Sequence, residues 1–306
     1  MPLHRLTSIT VGVPNVAETL AYYTDFGLTA IGGGWFATTD GGRQLRIVAS
    51  ATRRLVELGF GVDDPDDLAD VASRLERLGV PTDSGPGRLS AVEPVTGVHT
   101  VVSVADRLIQ EPRPQAPYNG PGRIERSGRA PGVLRSGGVA PRKLGHVLLA
   151  SADYRATRRF FLEGVGLKLS DEIKDGGAFL RCSTDHHNVF VLNSPVSYLH
   201  HTSWQVDDVD EVGRGAAAML QDHPERHVWG LGRHYAGSNF FWYLKDPAGN
   251  FSEYYSDLDT IPADEVWKPG VLEGAQGLFS WGPPVPPSFL APDDLAALMT
   301  GTHQSS

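Results

Sequence analysis

A segment in the last third of the chain, GRHYAGSNFFWYLKDPAGNFSE, carries His234, Tyr243 and Glu253. Two more histidines, His146 and His201, lie upstream in apolar, strand-like runs, LGHVLLAS and LHHTSWQV. Two neutral imidazoles and one carboxylate are the ligand set of a non-haem Fe(II) site that keeps open coordination positions. We therefore expect these separate segments to form a single site.

The composition limits the functions that this chain can have. Its 306 residues are 41% hydrophobic and 21% charged, which is typical of a soluble globular protein. The formal net charge of -9 argues against nucleic acid as a partner, because neutralising phosphates requires a basic surface. No apolar run reaches the roughly 18 residues of a membrane helix, and the N-terminus lacks the pattern of a signal peptide. We expect a cytoplasmic protein that binds neither nucleic acid nor a membrane.

Cysteine usage narrows the choice of metal ligands. The chain has one cysteine, Cys182, which excludes an intrachain disulfide and a cysteine metal cluster. Any metal ion must then be held by histidine and carboxylate side chains, which suit iron, manganese or zinc.

The chain repeats one order of elements. In the first unit, residues 6–104, the strand-like run LTSITVGV precedes a helical pattern, a hairpin and the run VELGFGVDDPDDL. In the second unit, residues 144–255, LGHVLLAS and HHTSWQVDDVDEV take the corresponding places. Self-similarity in a fixed order must be settled before any fold is assigned. Short strands alternating with single helices, in two like halves, predict curved mixed sheets that cradle a site.

The segments outside the two units differ in character. Residues 108–143 are rich in proline, glycine and arginine and lack periodicity, which indicates a linker. Residues 258–306 are irregular and contain Trp267 and Trp281. We expect this tail to pack its aromatic side chains on the domains.

The repeat also serves as an internal control. At the positions of the histidines and the glutamate that could bind a metal, the first unit has Ser8, Glu57 and Thr100, in that order. The shared scaffold therefore does not by itself demand metal ligands at these places. The first unit keeps the strands but cannot build the triad, so we expect it to be a structural partner.

The second unit resembles the catalytic module of the type I extradiol ring-cleavage dioxygenases, which belong to the vicinal oxygen chelate (VOC) superfamily. The motifs GHV, DHHN, LHHTSWQV, GRHYAGSNFFWYLKDPAGN and SEYYSD occur in the order and approximate spacing of that family. The tandem organisation is similar to that of its two-domain members, the 2,3-dihydroxybiphenyl 1,2-dioxygenases and catechol 2,3-dioxygenases.

This resemblance implies an α+β fold of tandem βαβββ modules. The modules would form two curved, barrel-like domains of mixed sheet, the glyoxalase/bleomycin resistance/dihydroxybiphenyl dioxygenase fold. We therefore expect a non-catalytic N-terminal VOC domain at 1–107, a linker at 108–143, a catalytic VOC domain at 144–257 and a tail at 258–306.

The resemblance also assigns the metal ligands as His146, His201 and Glu253. Neighbouring residues on a strand point to opposite faces, so only one of His200 and His201 can face the metal, and the family pattern selects His201. The implied ion is Fe(II), and Mn(II) is the alternative because the same ligands bind both.

Three further residues are implied to handle protons and substrate. In DHHN, the family pattern selects His187 over His186 as the acid–base histidine. Imidazole suits this role because its unperturbed pKa of about 6.5 lies near working pH. His234 and Tyr243 match the pair that donates hydrogen bonds to the substrate oxygens.

The implied activity is an Fe(II)-dependent extradiol dioxygenase. It would cleave a catechol-type ring next to its two hydroxyls with O2, in the catabolism of aromatic compounds, and act as a homo-oligomer. One alternative is a metal-dependent VOC isomerase or transferase, but such sites usually take four protein ligands, often from both modules. Another is a non-catalytic VOC protein that binds small molecules, which would need no proton shuttle.

Overall fold

Two mixed β-sheets dominate the computed structural model, which describes residues 3–114 and 117–300. The strands of the first sheet are Leu3–Val13 (β1), Thr29–Gly32 (β2), Trp35–Thr38 (β3), Gly42–Ala49 (β4), Arg54–Val62 (β5), Thr82–Gly85 (β6), Arg88–Val92 (β7) and His99–Val104 (β8). Their spatial order is β2-β3-β4-β1-β5-β8-β7-β6. Helices Val16–Asp25 (α1) and Pro65–Arg77 (α2) follow β1 and β5, so the unit contains the βαβββ order twice.

The second sheet repeats this arrangement and adds one strand. Its strands are Lys143–Ser151 (β9), Lys168–Ile173 (β10), Gly177–Arg181 (β11), Val189–Asn193 (β12), Tyr198–Gln205 (β13), His227–Arg233 (β14), Phe240–Lys245 (β15), Phe251–Ser256 (β16) and Gly270–Leu272 (β17). Their spatial order is β14-β15-β16-β13-β9-β12-β11-β10-β17. The predicted α+β fold with tandem modules is confirmed. The strand β17 lies in the segment predicted to be irregular, and it pairs in parallel with β10.

The remaining helices are short, with one exception. In chain order they are Pro131–Leu134 (α3), Tyr154–Arg159 (α4), its π-helical continuation Phe160–Val165, Val209–Leu220 (α5), the 3-10 turns Pro224–Arg226, Asp264–Val266 and Gly274–Gly277, and the tail helices Pro287–Leu290 (α6) and Leu295–Thr300 (α7). Among the described residues, no helix has the length and apolar character that a membrane crossing requires.

Helices α2 and α5 follow from local sequence. Each begins after a VDD step, where Asp64 and Asp208 are the N-caps. The Asp64 carboxylate accepts hydrogen bonds from the backbone N–H groups of Asp66 and Asp67, and Asp208 accepts from that of Glu211. Such caps satisfy N–H groups that have no partner inside the helix. The VDD repeat therefore marks the same structural step in both units.

Three adjacent central strands position the candidate ligands. Strand β13 pairs antiparallel with β9 and parallel with β16. On β13, Ser203 lies opposite His146 on one side and Glu253 on the other. Residues directly opposite each other on paired strands share a face of the sheet, and so does His201, two residues before Ser203. The strand register alone therefore brings the three side chains to one face.

The same register corrects one predicted counterpart. Ser203 and Gly59 each lie four residues before the first Asp of a VDD step. Ser203 pairs with Glu253, whereas Gly59 pairs with Val101. The prediction that Thr100 stands where Glu253 stands is therefore wrong by one residue, because strand pairing and not the preceding turn sets the register. Valine cannot bind a metal ion, so the first unit still lacks the triad.

Helix α1 of the first unit supports the strand that carries Glu253. The Phe26 ring stacks on Tyr254 with ring centroids 3.9 Å apart and planes inclined by 2°. The Tyr254 hydroxyl donates to the Phe26 carbonyl oxygen at 2.7 Å, and the hydroxyls of Tyr22 and Ser252 form a buried hydrogen bond. Ser252 and Tyr254 flank Glu253 on β16, so α1 packs on the face opposite the site.

Replacing Phe26 with alanine should destabilise the protein by about 3–5 kcal/mol, because it removes a buried, stacked ring and leaves a cavity. Urea unfolding measures the change. The matched control is Ile31→Ala on the exposed strand β2, which should alter stability by less than about 0.5 kcal/mol. Equal unfolding midpoints for Phe26→Ala and the wild-type chain would show that α1 does not support the second sheet.

Candidate metal centre

His146, His201 and Glu253 converge in the centre of the second sheet. Each offers one ligand atom, and these atoms all lie within 4.8 Å of one another. The Oε2 atom of Glu253 is 3.1 Å from Nε2 of His146 and 3.8 Å from Nε2 of His201. All three side chains are buried, and Glu253 is 0% exposed. The structure thus brings together the three residues predicted as ligands.

The donor atoms of this triad fit a divalent metal ion. Oε2 of Glu253 and Nε2 of His201 are buried, and neither has a hydrogen-bond partner within the described part of the chain. Burying such atoms is unfavourable unless something completes their interactions. The other carboxylate oxygen, Oε1, accepts a hydrogen bond from the Asn239 side-chain amide at 3.1 Å. Oε2 is therefore the oxygen that faces His146 and His201. A cation bound between Oε2 of Glu253 and Nε2 of His201 would supply the interaction that both atoms lack.

The two residues of the His200–His201 pair have different surroundings. His201 approaches Glu253, whereas Nε2 of His200 lies 2.6 Å from the carbonyl oxygen of Phe289 in α6. Burial lowers the pKa of His200 to about 4 and that of His201 well below its ordinary value. Both imidazoles are therefore neutral at pH 7, the state in which histidine binds a metal.

The His186–His187 pair is divided in the same way. The ring centroids of His187 and His146 are 4.2 Å apart, whereas Nε2 of His186 lies 2.9 Å from Oδ2 of Asp171. The Nδ1 atoms of the two histidines are 3.0 Å apart. Burial, followed by the neighbouring histidines, lowers the pKa of His187 well below its ordinary value. The structure therefore places a neutral His187, the predicted acid–base residue, beside the triad.

His234 and Tyr243, the two residues predicted to contact the substrate, are hydrogen-bonded to each other. Nε2 of His234 lies 2.9 Å from the Tyr243 hydroxyl, and its Nδ1 lies 2.5 Å from the Leu278 carbonyl oxygen. Burial lowers the pKa of His234 and raises that of Tyr243, so both are neutral. The Leu278 carbonyl can only accept, so Nδ1 of His234 carries the proton and Nε2 accepts from Tyr243. In this arrangement Tyr243 donates and His234 accepts, which differs from the prediction that both donate.

An apolar cavity opens beside the triad. Apart from the histidines and Tyr243, its lining is Leu148, Ile173, Phe179, Phe190, Leu192, Ala236, Gly277, Leu278, Phe289 and Leu290. The last four of these residues belong to the tail. Arg233, which could have bound an anionic group, instead forms an ion pair with Asp257 at 2.7 Å.

Sequence reasoning predicted that the tail packs on the domains, but it did not identify the tail's backbone contacts with this site. The carbonyl oxygens of Leu278 and Phe289 contact site histidines, and the Trp229 indole donates to the carbonyl of Pro283 at 2.8 Å. A backbone carbonyl is present in every residue, so no pattern of residue types could identify these contacts. Asn239, which orients Glu253, was missed as well, although it lies between the two residues His234 and Tyr243 that were selected.

Residues 143–254 match the family model of the Glyoxalase/Bleomycin resistance protein/Dioxygenase superfamily. The match covers almost the whole of the second unit. A curated relative, metapyrocatechase 2 of Cupriavidus necator, is 38% identical over 185 residues, which cover 58% of this chain and 58% of that protein. Biphenyl-2,3-diol 1,2-dioxygenase of Paraburkholderia xenovorans (strain LB400) is 26% identical over 287 residues, which cover 87% and 91%.

A solved structure supports the fold. The Mn(II)-bound glyoxalase from Novosphingobium aromaticivorans superposes with a TM-score of 0.75, covers 94% of both chains and is 24% identical. The relatives confirm the resemblance to extradiol dioxygenases. One relative, from Geobacillus genomosp. 3, is named as manganese-dependent, and another, from Rhodococcus jostii (strain RHA1), is named as iron-dependent. The chain matches less than two thirds of the length of metapyrocatechase 2.

Proposed function

We propose that this chain is an extradiol dioxygenase that uses O2 and Fe(II) to cleave a catechol-type ring next to its two hydroxyls, in the catabolism of aromatic compounds. One observation carries the proposal. Two histidines and a glutamate converge at an apolar cavity that His187, His234 and Tyr243 also line, and Nε2 of His201 and Oε2 of Glu253 have no hydrogen-bond partner among the described residues. The names of the relatives support the same reaction class.

In this proposal His146, His201 and Glu253 hold the ion. When bound, Fe(II) supplies the redox chemistry between an electron-rich ring and O2. Three protein ligands on one side leave the other side open for small molecules. Mn(II) is the alternative ion, since the same ligands suit it and relatives are named for either metal.

His187 is suited to move a proton. His186 donates from Nε2 to the Asp171 carboxylate, so its Nδ1 accepts from Nδ1–H of His187. Nε2 of a neutral His187 therefore has a free lone pair. It can take a proton from a catechol hydroxyl and return it to the product, as a general base and then a general acid.

Tyr243 and His234 are suited to orient the substrate. The raised pKa of Tyr243 keeps its hydroxyl protonated. Its one proton is donated to His234 in this structure, and on substrate binding the hydroxyl can turn and donate that proton to a catecholate oxygen instead. His234 is fixed by the Leu278 carbonyl and offers Nε2 to the same hydroxyl. The pair therefore holds a donor beside the triad without adding a charge to the cavity.

The two alternative functions are less favoured. A VOC isomerase or transferase needs a further ligand, yet the corresponding strands of the first unit offer Ser8, Val101 and Glu57. Glu57 forms an ion pair with Arg88 at 3.6 Å in its own sheet. A protein that only binds small molecules has no use for a proton-accepting histidine beside a metal triad.

The deciding experiment is anaerobic reconstitution with Fe(II), followed by oxygen uptake with catechol and 2,3-dihydroxybiphenyl. We expect uptake together with a yellow ring-fission product, and no uptake after the iron is chelated. Binding of the catechols without oxygen consumption by an iron-loaded sample would instead favour the binding protein.

The cavity favours a neutral substrate. Among the described residues that line it, none is lysine or arginine. We expect kcat/KM for catechol or 3-methylcatechol to exceed that for 3,4-dihydroxyphenylacetate by at least about 100-fold, because a carboxylate would be buried without a partner. The variant Leu192→Lys, at a partly exposed lining position, should narrow this ratio. Equal turnover of charged and neutral catechols by the wild-type enzyme would contradict the assignment.

The proposal also assigns a role to each segment of the chain. Residues 144–257 carry the chemistry, residues 1–107 support them, residues 108–143 connect the two, and the tail from 258 onward closes the cavity. Homo-oligomer formation and a cytoplasmic location stay predictions.

A further inference from the structure

The residue before the candidate ligand His201 connects that ligand to the tail. Nδ1 of His200 lies 2.9 Å from Nδ1 of His201, and Nε2 of His200 lies 2.6 Å from the Phe289 carbonyl oxygen. The three groups form a continuous hydrogen-bonded chain from α6 to the metal centre. All three residues are buried, so solvent does not compete for these contacts.

The direction of each hydrogen bond in this chain is fixed by chemistry. A carbonyl oxygen only accepts, so Nε2 of His200 carries the proton. A neutral imidazole has one N–H, so Nδ1 of His200 must accept, and Nδ1 of His201 must donate to it. His201 then has its lone pair on Nε2, the nitrogen that faces Glu253 and that no described residue hydrogen-bonds.

We propose that His200 is a positioning residue that, together with the Phe289 carbonyl, fixes His201 in the tautomer that presents Nε2 to the metal ion. The inference rests on the proposed metal site, though not on the reaction carried out there. Partners of this kind orient a ligating histidine and set its tautomer, and their loss typically costs 10–100-fold in metal affinity.

The pair His186–His187 has the same hydrogen-bonding arrangement as His200–His201. Nδ1 of His186 contacts Nδ1 of His187, and Nε2 of His186 contacts the Asp171 carboxylate. In both double-histidine motifs the first residue therefore connects the second to a fixed acceptor. By contrast, Nδ1 of His146 has no partner among the described residues, so this ligand is not held in one tautomer in the same way.

Packing alone does not account for a histidine at position 200. The rings of Tyr198, Phe251 and Phe289 surround it at centroid distances of 6.2, 5.1 and 4.8 Å. A phenylalanine would suit such surroundings better, because a buried imidazole is unfavourable unless its nitrogen atoms are hydrogen-bonded. Both nitrogens of His200 are hydrogen-bonded, which indicates a role beyond filling space.

The first test compares metal affinity in three full-length variants. His200→Phe keeps a ring and removes both hydrogen bonds, and His200→Asn offers an amide oxygen near the position of Nδ1. Tyr198→Phe is the control, since it changes a neighbour on the same strand without touching the hydrogen-bonded chain. Under argon, we expect His200→Phe to bind Fe(II) and Mn(II) 10–100-fold more weakly, His200→Asn to stay within about threefold of wild type, and Tyr198→Phe to match it.

The second test observes the tautomer directly in the metal-free protein. Long-range 1H–15N NMR distinguishes a protonated from an unprotonated imidazole nitrogen, and loss of the signal in His201→Gln assigns it. We expect the proton of His201 on Nδ1 in the wild type and in His200→Asn, and a mixture of tautomers in His200→Phe. An unchanged tautomer together with unchanged metal affinity in a folded His200→Phe would overturn the inference. A wild-type protein that binds no metal but shows the Nδ1 tautomer would overturn the metal site alone.

Discussion

Replacing Glu253 with glutamine is expected to abolish tight binding of Fe(II) and Mn(II), and dioxygenase activity with it. Glutamine has nearly the same shape, and its amide oxygen can still accept the hydrogen bond from Asn239. Its NH2 group would then point toward the histidine lone pairs that a metal ion needs. Affinity should fall by more than the roughly 10–100-fold typical of losing an outer partner, because a charged ligand is lost.

Anaerobic metal titration and thermal unfolding with and without Mn(II) measure this change. The metal-free variant should be at least as stable as wild type, since the amide can donate to His146 or His201, but Mn(II) should no longer raise its Tm. Glu57→Gln is the matched control, because this glutamate lies on β5 of the first unit, at the position that corresponds to His201, and its replacement should leave metal binding unchanged. Wild-type affinity in Glu253→Gln would remove this residue from the ligand set.

Replacing His187 with glutamine is expected to lower kcat by about 10²–10⁴-fold, the range for loss of a general acid or base. Metal affinity should change little, because His187 lies beside the triad and not in it. Glutamine can still form hydrogen bonds but cannot take up and release a proton near neutral pH. Steady-state oxygen uptake with the iron-loaded variant, together with a metal titration, measures both quantities.

A second histidine variant serves as the control for this experiment. His227 is exposed at the start of β14, and His227→Gln should have wild-type kcat and metal affinity. If His187→Gln retained full kcat, the proton would be handled by another group, and His234 would be the next candidate once its Nε2 exchanges the Tyr243 hydroxyl for the substrate. Loss of metal binding in His187→Gln would instead show that this residue contributes to ligation.

Much of the architecture could be predicted because it depends on repeated local patterns. The alternation of strands and helices, the duplicated VDD step and the hairpin around Asp40 all have signatures within a few residues. The convergence of the three candidate ligands could be predicted because they are chemically distinct and lie on separate strands, and the family motifs chose between the neighbours His200 and His201. Alternation along a strand separates such neighbours but does not say which of them faces the site.

The remaining features depend on interactions distant in sequence. The counterpart of Glu253 was misplaced by one residue because the pairing of β5 with β8 sets the register, and the turn before β8 does not reveal it. The prediction that the tail packs on the domains did not extend to its backbone contacts with the site, since carbonyl oxygens of Leu278 and Phe289 act there and every residue has a carbonyl. The donor and acceptor roles of His234 and Tyr243 likewise depend on one of these carbonyls.

The stacking of Phe26 on Tyr254 has a consequence for how far this protein can be divided. The superfamily model matches residues 143–254, yet the back of the strand that carries Glu253 is covered by a helix from the first unit. Expressed alone, the second unit would expose Tyr254 and its apolar neighbours to water and to other copies, which favours aggregation. The first unit thus covers apolar surface that the second unit would expose if it were separated from it.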